Sequence, residues 1–342
     1  MESNAFSALH NWLMELGNEG RAQKTVEAYD ADVTDTLNWI ASFRGVEPSD
    51  LHLTDITRED LVAAISDFRT RPDPRYSRHP DQAPKERSAA RVSRRMAAIK
   101  VFLKWCYETG KIPSDPGALI KSPKRAKRLP KALEADTAML VMTNNEDSRW
   151  PERDNLVIVL ALTTGLRLQE IATLKLTDLI GSPPNAINVI GKGNKERRLP
   201  LPPVTQEALQ AYLPTRAKRL SKTGMQARTV FISTRARRVG TDKQGEVIMT
   251  VEATNAGIAY IVDRILRLSG ARRRGSRVHV LRHTFATLGL RPDPATGQPA
   301  YTLRQLQAAL GHANLATIQV YTEVSDSELV EAAAAHPLAR AK

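Results

Sequence analysis

His279-Val-Leu-Arg282-His283-Thr-Phe-Ala-Thr287 is followed by Leu310-Gly311-His312, and Tyr321 stands nine residues beyond that histidine. Upstream, Thr164-Gly165-Leu166-Arg167-Leu-Gln-Glu170 sets a second arginine in an apolar helical context. Fixed cations, hydrogen-bond donors and one phenol are what a nucleophile attacking a phosphodiester requires. The set offers neither the acid–base pair nor the metal ligands of a hydrolase. Each word is ambiguous alone. Arg167 and Glu170 have the spacing of an ordinary ion pair across one turn. His279 shares a helical face with Arg282, yet lone histidines more often satisfy structural hydrogen bonds. His312 after a glycine suits a helix cap, and Tyr321 suits a core. Their joint occurrence, in this order and at these intervals, argues against coincidence.

At 342 residues the chain is long enough for two domains with separate cores. Fifty Lys and Arg against 37 Asp and Glu give a formal charge of +13, and the pI is near 9.9. An excess of that size makes a polyanion the leading partner, because neutralising phosphates releases condensed counterions. A merely soluble basic protein would share it. The single cysteine, Cys106, lies in the apolar stretch Phe102-Leu-Lys-Trp-Cys-Tyr107, cannot form an internal disulfide, and is expected in a core. No apolar run approaches the roughly 20 residues of a membrane span, and Met1-Glu2-Ser3-Asn4 begins no signal-peptide pattern. The expected setting is cytoplasmic, at the nucleoid, with no membrane partner.

The first third reads as helices. Phe6, Leu9, Leu13 and Leu16 make one apolar stripe, and Val26, Tyr29, Val33, Leu37 and Ile40 make another. Thr57 suits the N-cap of a third helix carrying Leu61, Ile65 and Phe68, with Asp60 in its first turn. A fourth runs from about Ser88 to Glu108 with Val92, Met96, Ile99 and Leu103 inward. Its other face carries Arg91, Arg94, Arg95 and Lys104. Such a face is either solvated or a DNA contact; the one-signed charge speaks for DNA. Arg69 to Arg87, with prolines at 72, 74, 80 and 84, forms a long loop. Ser122-Pro-Lys124-Arg125-Ala-Lys127-Arg128-Leu-Pro130-Lys131 reads as an extended cationic linker that lies along a phosphate backbone. Beyond it, Asp136 to Met142 is helical, and Asp154 to Thr163 suits a buried helix leading to Arg167. Ala186–Ile190 and Arg197–Leu201 read as two strands around the glycine-rich turn Gly191-Lys192-Gly193-Asn194-Lys195. A further strand is expected at Thr229–Ser233, then a turn-rich stretch, then a helix from about Ala253 to Leu268.

Thr-Gly-Leu-Arg167 with Glu170 resembles the first box of the tyrosine recombinase (phage integrase) family, and His279-x-Leu-Arg282-His-Thr-Phe-Ala-Thr resembles its second. Leu-Gly-His312 with Tyr321 completes the set, and Ile190-Gly-Lys192-Gly-Asn-Lys-Glu-Arg197 is similar to the hairpin bearing the family's catalytic lysine. The similarity runs over nearly the whole chain. Within the family the linker, the hairpin and the His336-Pro337 ending look most like the Xer recombinases that resolve chromosome dimers, and no arm-binding domain precedes the first helix. One segment departs from the pattern: Gly289 to Tyr301 is longer than the matching turn in the simplest relatives.

The resemblance implies a mainly α fold with a small β-hairpin sheet in the catalytic domain, arranged as a two-domain DNA clamp. Residues 1–121 would be a helical, SAM-like core-binding domain, 122–132 a basic linker and 133–342 the catalytic domain with a C-terminal tail. It implies a site-specific recombinase that cleaves and rejoins DNA through a 3′-phosphotyrosine. Arg167 and Arg282 would clamp the phosphate, Tyr321 would attack it, and Lys192 would protonate the leaving oxygen, with Lys195 as the rival in the same turn. His279 and His312 would bond the phosphate or handle protons, and Glu170 would orient its neighbours. Arg91, Arg94, Arg95, Lys124, Arg125, Lys127 and Arg128 are expected to meet DNA. No metal or other cofactor is called for, since the arginines take the place of a divalent ion. The partners implied are double-stranded DNA carrying specific sites and three further copies of the chain, with a second related recombinase as a variant of the tetramer. The alternatives are an integrase of a phage or mobile element, a type IB topoisomerase-like enzyme, and a DNA-binding regulator without catalysis.

Overall fold

The computed structural model describes residues 4–72, 86–121, 132–144, 148–191, 196–242, 244, 246–272, 278–292 and 297–311. The chain divides into two compact units, Met1–Lys127 and Arg128–Lys342. The expected proline-rich loop falls mostly outside the described residues, as do the linker cations Lys124, Arg125, Lys127 and Arg128 and the C-terminal tail.

The first unit is built from α1 (Ala5–Asn18), α2 (Gln23–Arg44), α3 (Arg58–Thr70) and α4 (Ala89–Glu108). Side-chain caps fix where α1, α3 and α4 begin. Asn4 accepts from the amides of Phe6 and Ser7. Thr57 and Asp60 form a reciprocal capping box, and Arg44 donates to the same Asp60 carboxylate at 2.6 Å. The predicted stripes converge on a core that includes Trp12, Leu37, Ile40, Phe68, Phe102 and Cys106.

One expectation fails here. Arg95 does not face outward to DNA: it is only 6% exposed. Its guanidinium lies 3.4 Å from the centre of the Phe68 ring and pairs with Asp35 on α2. Arg94, still exposed, donates to Asp32 at 3.0 Å. A planar cation stacks on aromatic faces, and α2 supplies the carboxylates, so Arg95 is turned to holding α2 and α4 together, while Arg94 bonds α2 and keeps an exposed face. Lys104 pairs along its own helix with Glu108 at 3.4 Å, and both side chains are well exposed.

The second unit contains α5 (Ala135–Thr143), α6 (Pro151–Thr164), α7 (Leu168–Thr173), the strands β1 (Leu179–Ile180), β2 (Ala186–Ile190) and β3 (Glu196–Pro200), α8 (Pro203–Thr223), β4 (Ile232–Thr241), β5 (Val247–Glu252), α9 (Asn255–Leu268), α10 (Val278–Leu290) and α11 (Leu303–Leu310). Strands β1, β2 and β3 form an antiparallel sheet in that order, and β4 pairs with β5. As expected, the fold is mainly helical. Helix α6 is buried on every side, with Leu156 through Ala161 all inside, which is the pattern of a central core helix. It packs against α5, α8, α9 and α10.

Several elements were not anticipated, among them α8 and the β4–β5 ribbon. Helix α8 opens with Pro203 and contains Pro214; a proline at the first helical position is tolerated because the amide it lacks has no partner there. The turn-rich stretch after Ser233 is the β4–β5 ribbon, whose register shifts between Ile232 and Arg237 and between Arg238 and Gly240. Around the segment that departs from the family pattern, Pro292 bridges to Pro299 and the Tyr301 amide donates to Gly289 O at 2.8 Å. The described ends of that loop therefore close on the end of α10.

Candidate catalytic site

Helix α6 ends at Gly165, whose φ of 63° is left-handed. A β-carbon there would overlap the Phe285 ring of α10 and stand 2.9 Å from Leu310 Cδ2 of α11. The chain then turns into α7, and Arg167 takes the N-cap position. Glycine is required twice over, by the backbone angle and by the lack of room. The turn therefore presses α6, α10 and α11 together beside Arg167.

Glu170 is the centre of the cluster, at 8% exposure. Its Oε1 accepts from Arg167 Nη1 at 3.0 Å and its Oε2 from the Arg167 amide at 2.7 Å. Arg197, on β3, donates through Nη1 and Nη2 to the two oxygens at 3.0 and 2.9 Å. Burial alone would raise this carboxyl, but the Arg197 and Arg167 hydrogen bonds, with both guanidinium charges, bring it below its ordinary value. It stays ionised.

Arg282 is anchored differently. At 4% exposure it donates through Nη1 to Gly165 O at 2.5 Å and through Nη2 to Leu310 O at 2.7 Å. Arg197 Nε donates to Ala309 O at 2.9 Å. The last carbonyls of a helix have no partner within it and carry the negative end of its dipole, so two arginines suit the end of α11 on both counts. The turn Leu310-Gly311 leads in sequence to His312.

His279 stands one turn before Arg282 on α10. Its imidazole is lowered in pKa by partial burial and then by the charges of Arg282 and Arg167. His283 is lowered too, by burial, His279 and Arg282, and the two rings lie 6.4 Å apart. Arg167, Glu170, His279 and Arg282 are thus gathered into one region; Lys192, Lys195, His312 and Tyr321 lie outside the described residues. Arg197 is the member that sequence reading missed. The signal was present: β2–β3 pairing sets Arg197 opposite Val189 and Leu199 opposite Ile187, and the other three residues of those pairs are buried. An arginine in register with an inward face calls for a buried carboxylate.

A cleft of about 680 Å³, lined by Arg149, Arg153 and Arg264 among others, lies at the N-terminal end of α6. Fourteen residues of helix, about 20 Å at 1.5 Å per residue, separate that end from Gly165.

The model of the phage integrase family matches residues 131–328, more than half of the chain. The chain belongs to that family. The tyrosine recombinase XerC of Pseudomonas syringae pv. tomato is 30% identical over 342 residues, covering 98% of this chain and 97% of that one. XerC of Stutzerimonas stutzeri is 31% identical over 274 residues, 78% of this chain and 82% of the relative. Among solved structures, the XerH site-specific recombinase bound to difH substrate, a pre-cleavage complex, superposes with a TM-score of 0.61 at 21% identity over 96% of this chain and 83% of that one. That likeness concerns the fold. This phage integrase family member is a tyrosine recombinase of Xer type, an enzyme of site-specific recombination acting on DNA. Among the described residues no helix is long and apolar enough to cross a membrane.

Proposed function

We propose that the chain exchanges DNA strands with Tyr321 as nucleophile, in the service of resolving chromosome or plasmid dimers. The observation that carries this reading is the arrangement of Arg167 and Arg282: Glu170 of α7 holds the first guanidinium, and the carbonyls of Gly165 and Leu310 hold the second. Guanidinium stays charged at any working pH, and its planar fork matches phosphate oxygens. Donors already in place meet the charge that builds on phosphorus without having to reorganise.

In this scheme the Tyr321 oxygen attacks phosphorus, and its proton passes to a histidine. His279 suits the task, because its lowered pKa keeps the imidazole neutral near pH 7 and able to accept. The bond from phosphorus to the 5′-oxygen breaks, and Lys192 protonates that oxygen. The product is a 3′-phosphotyrosine with a free 5′-hydroxyl. One phosphoester is exchanged for another, so no nucleotide is consumed, and attack by a hydroxyl of another strand rejoins DNA. Each chain offers one nucleophile while exchange between two duplexes needs four strand breaks, which supports a tetramer on two sites.

Residues 1–121 would grip DNA through Arg91 and Arg94, 122–132 would follow the backbone through Lys124, Arg125, Lys127 and Arg128, and 133–342 would carry the chemistry, in the cytoplasm at the nucleoid. The net charge of +13 supports a broad phosphate contact. A nicked duplex carrying the recombination site tests the scheme: wild type should become covalently attached, and Tyr321→Phe should bind the same DNA without attachment. An adduct formed by Tyr321→Phe would move the nucleophile elsewhere.

A further inference from the structure

Glu170 poses an electrostatic problem for the site around it. A carboxylate bonded to Arg167 alone would cancel the charge that Arg167 is there to offer. The pair would be neutral, and a phosphate would have to compete with a buried anion for the same guanidinium. The structure holds a second cation against that anion. Arg197 takes both carboxylate oxygens with its fork at 3.0 and 2.9 Å, while Arg167 reaches only Oε1 with its side chain. The two differ in exposure as well. The Arg197 side chain is 10% exposed and the Arg167 side chain 31%. One faces the protein and one faces out.

We propose that Arg197 is a positioning residue for strand cleavage: it serves as the counter-ion of Glu170, leaving Arg167 with a net positive charge and open donors for the scissile phosphate. This rests on the reading that Arg167 holds the phosphate. With Arg197 in place the trio of two guanidiniums and one carboxylate carries a charge of +1, and Glu170 aims Arg167 without neutralising it. A second consequence comes from the rest of the same side chain. Its Nε holds Ala309 O at 2.9 Å, and a β-carbon on Gly311 would come within 3.2 Å of its Nη1. The guanidinium is therefore packed against the turn that precedes His312. Arg197 also lies on β3, directly after the turn that bears Lys192 in the sequence. A single side chain thus joins the hairpin, the first box and the end of α11.

An arginine that only held the fold would behave differently from a counter-ion, and a charge-removal cycle separates the two. Single-turnover cleavage of the nicked duplex is measured at saturating protein for wild type, Arg197→Gln, Arg197→Lys, Glu170→Gln and the Arg197→Gln/Glu170→Gln double variant. Thermal melting and DNA affinity are recorded alongside. Arg197→Gln leaves Glu170 paired with Arg167 alone and should slow cleavage about 10²-fold, the scale of a misplaced catalytic group. Affinity for the site should change little, because many phosphates carry it. Adding Glu170→Gln removes the competing anion and should restore cleavage about tenfold over Arg197→Gln. Arg197→Lys keeps the charge without the fork and should lie between wild type and Arg197→Gln. A double variant as slow as Arg197→Gln, or slower, overturns the counter-ion role. Should Arg197→Gln melt below the assay temperature, Arg197→Met with and without Glu170→Gln, which keeps the apolar stem and removes the charge, gives the same comparison at a temperature where the variants stay folded. A wild-type protein that forms no adduct overturns the catalytic reading, and the counter-ion role falls with it. Adduct formation by wild type without rescue overturns the counter-ion role alone.

Discussion

Asp32 in the first unit and Glu170 in the second are both carboxylates held away from water, 3% and 8% exposed, and each faces two arginines. Their acidities move in opposite directions. Burial raises Asp32 despite the charges of Arg94 and Arg95, whereas the hydrogen bonds on Glu170 outweigh its burial. Counting donors explains the difference. Asp32 accepts from Arg94 at 3.0 Å, Arg95 Nε stands off at 3.8 Å, and Oδ2 has no partner among the described residues. Glu170 has four bonds on two oxygens. Nearby charge without directed donors does not offset desolvation; donors in place do. The first site is a seam between α2 and α4, and the second is an organised electrostatic centre.

The harshest way to break the contrast is Arg282→Ala. Two buried carbonyls, Gly165 O and Leu310 O, would lose their donor, at about 1–3 kcal/mol each. Cleavage should fall by about 10²- to 10³-fold with the loss of a preorganised donor. Urea unfolding and single-turnover trapping read the two effects separately; a variant that melts normally and cleaves normally would dissolve the proposed centre.

Glu170→Gln comes next. It sets amide hydrogens against guanidinium donors and removes charged acceptors, costing about 1.5–3 kcal/mol for each charge-assisted bond lost. Cleavage should slow about tenfold, short of the 10²-fold that an ångström of misplacement can bring. Stability carries its own signature. Because the folded pKa of Glu170 is depressed, its contribution is present above the ordinary value of 4.5 and is lost as pH falls through the folded value. The glutamine variant should lose that part of the acid limb in pH-dependent unfolding.

Asp32→Asn should do much less. A raised folded pKa means ionised Asp32 opposes folding, so its favourable contribution exists below 3.8 and disappears as pH rises through the folded value. Asparagine keeps an acceptor for Arg94, and Arg95 keeps Asp35. Stability at pH 7 should change by under about 1 kcal/mol, in the stabilising direction. A loss of several kcal/mol on urea unfolding would show that the seam depends on that charge.

The mildest effect is on pH dependence. If His279 accepts the phenolic proton, cleavage should rise with pH and level off below the ordinary 6.5, leaving the rate flat from about pH 6.5 to 8. Linkage gives the matching stability trend. His279 and His283 bind protons more readily when unfolded, so their neutral forms cost stability as pH falls below 6.5. A cleavage midpoint above pH 7 would reassign the acceptor.

Local rules were readable wherever a residue acts on its immediate neighbours. Thr57 announced α3, Ser88 announced α4, and the apolar run after Asp154 announced the buried α6. The box residues could be grouped because their order and spacing limit what they can do. Long-range partners were less visible. Nothing on α4 says that Asp35 and the Phe68 ring will draw Arg95 inward. Helix α8 was hidden by its prolines, and the ribbon of β4 and β5 by strands exposed along most of their length, which lack the apolar alternation that marks a half-buried strand. Arg197 was hidden because its partner lies 27 positions away in another element.

The crowding at Gly165 has a consequence for sequence variation. Positions 165, 285 and 310 occupy a single packing volume although they belong to three separate motifs, so the effect of changing one depends on the identity of the others. In a saturation library, side chains at 165 should be eliminated even when 285 and 310 are made small, because the left-handed backbone remains. Enlarging 310, by contrast, should become tolerable when 285 shrinks. Pairwise epistasis should therefore link 285 with 310 and leave 165 invariant, a pattern set by volume and independent of whatever DNA site selects the rest of the protein.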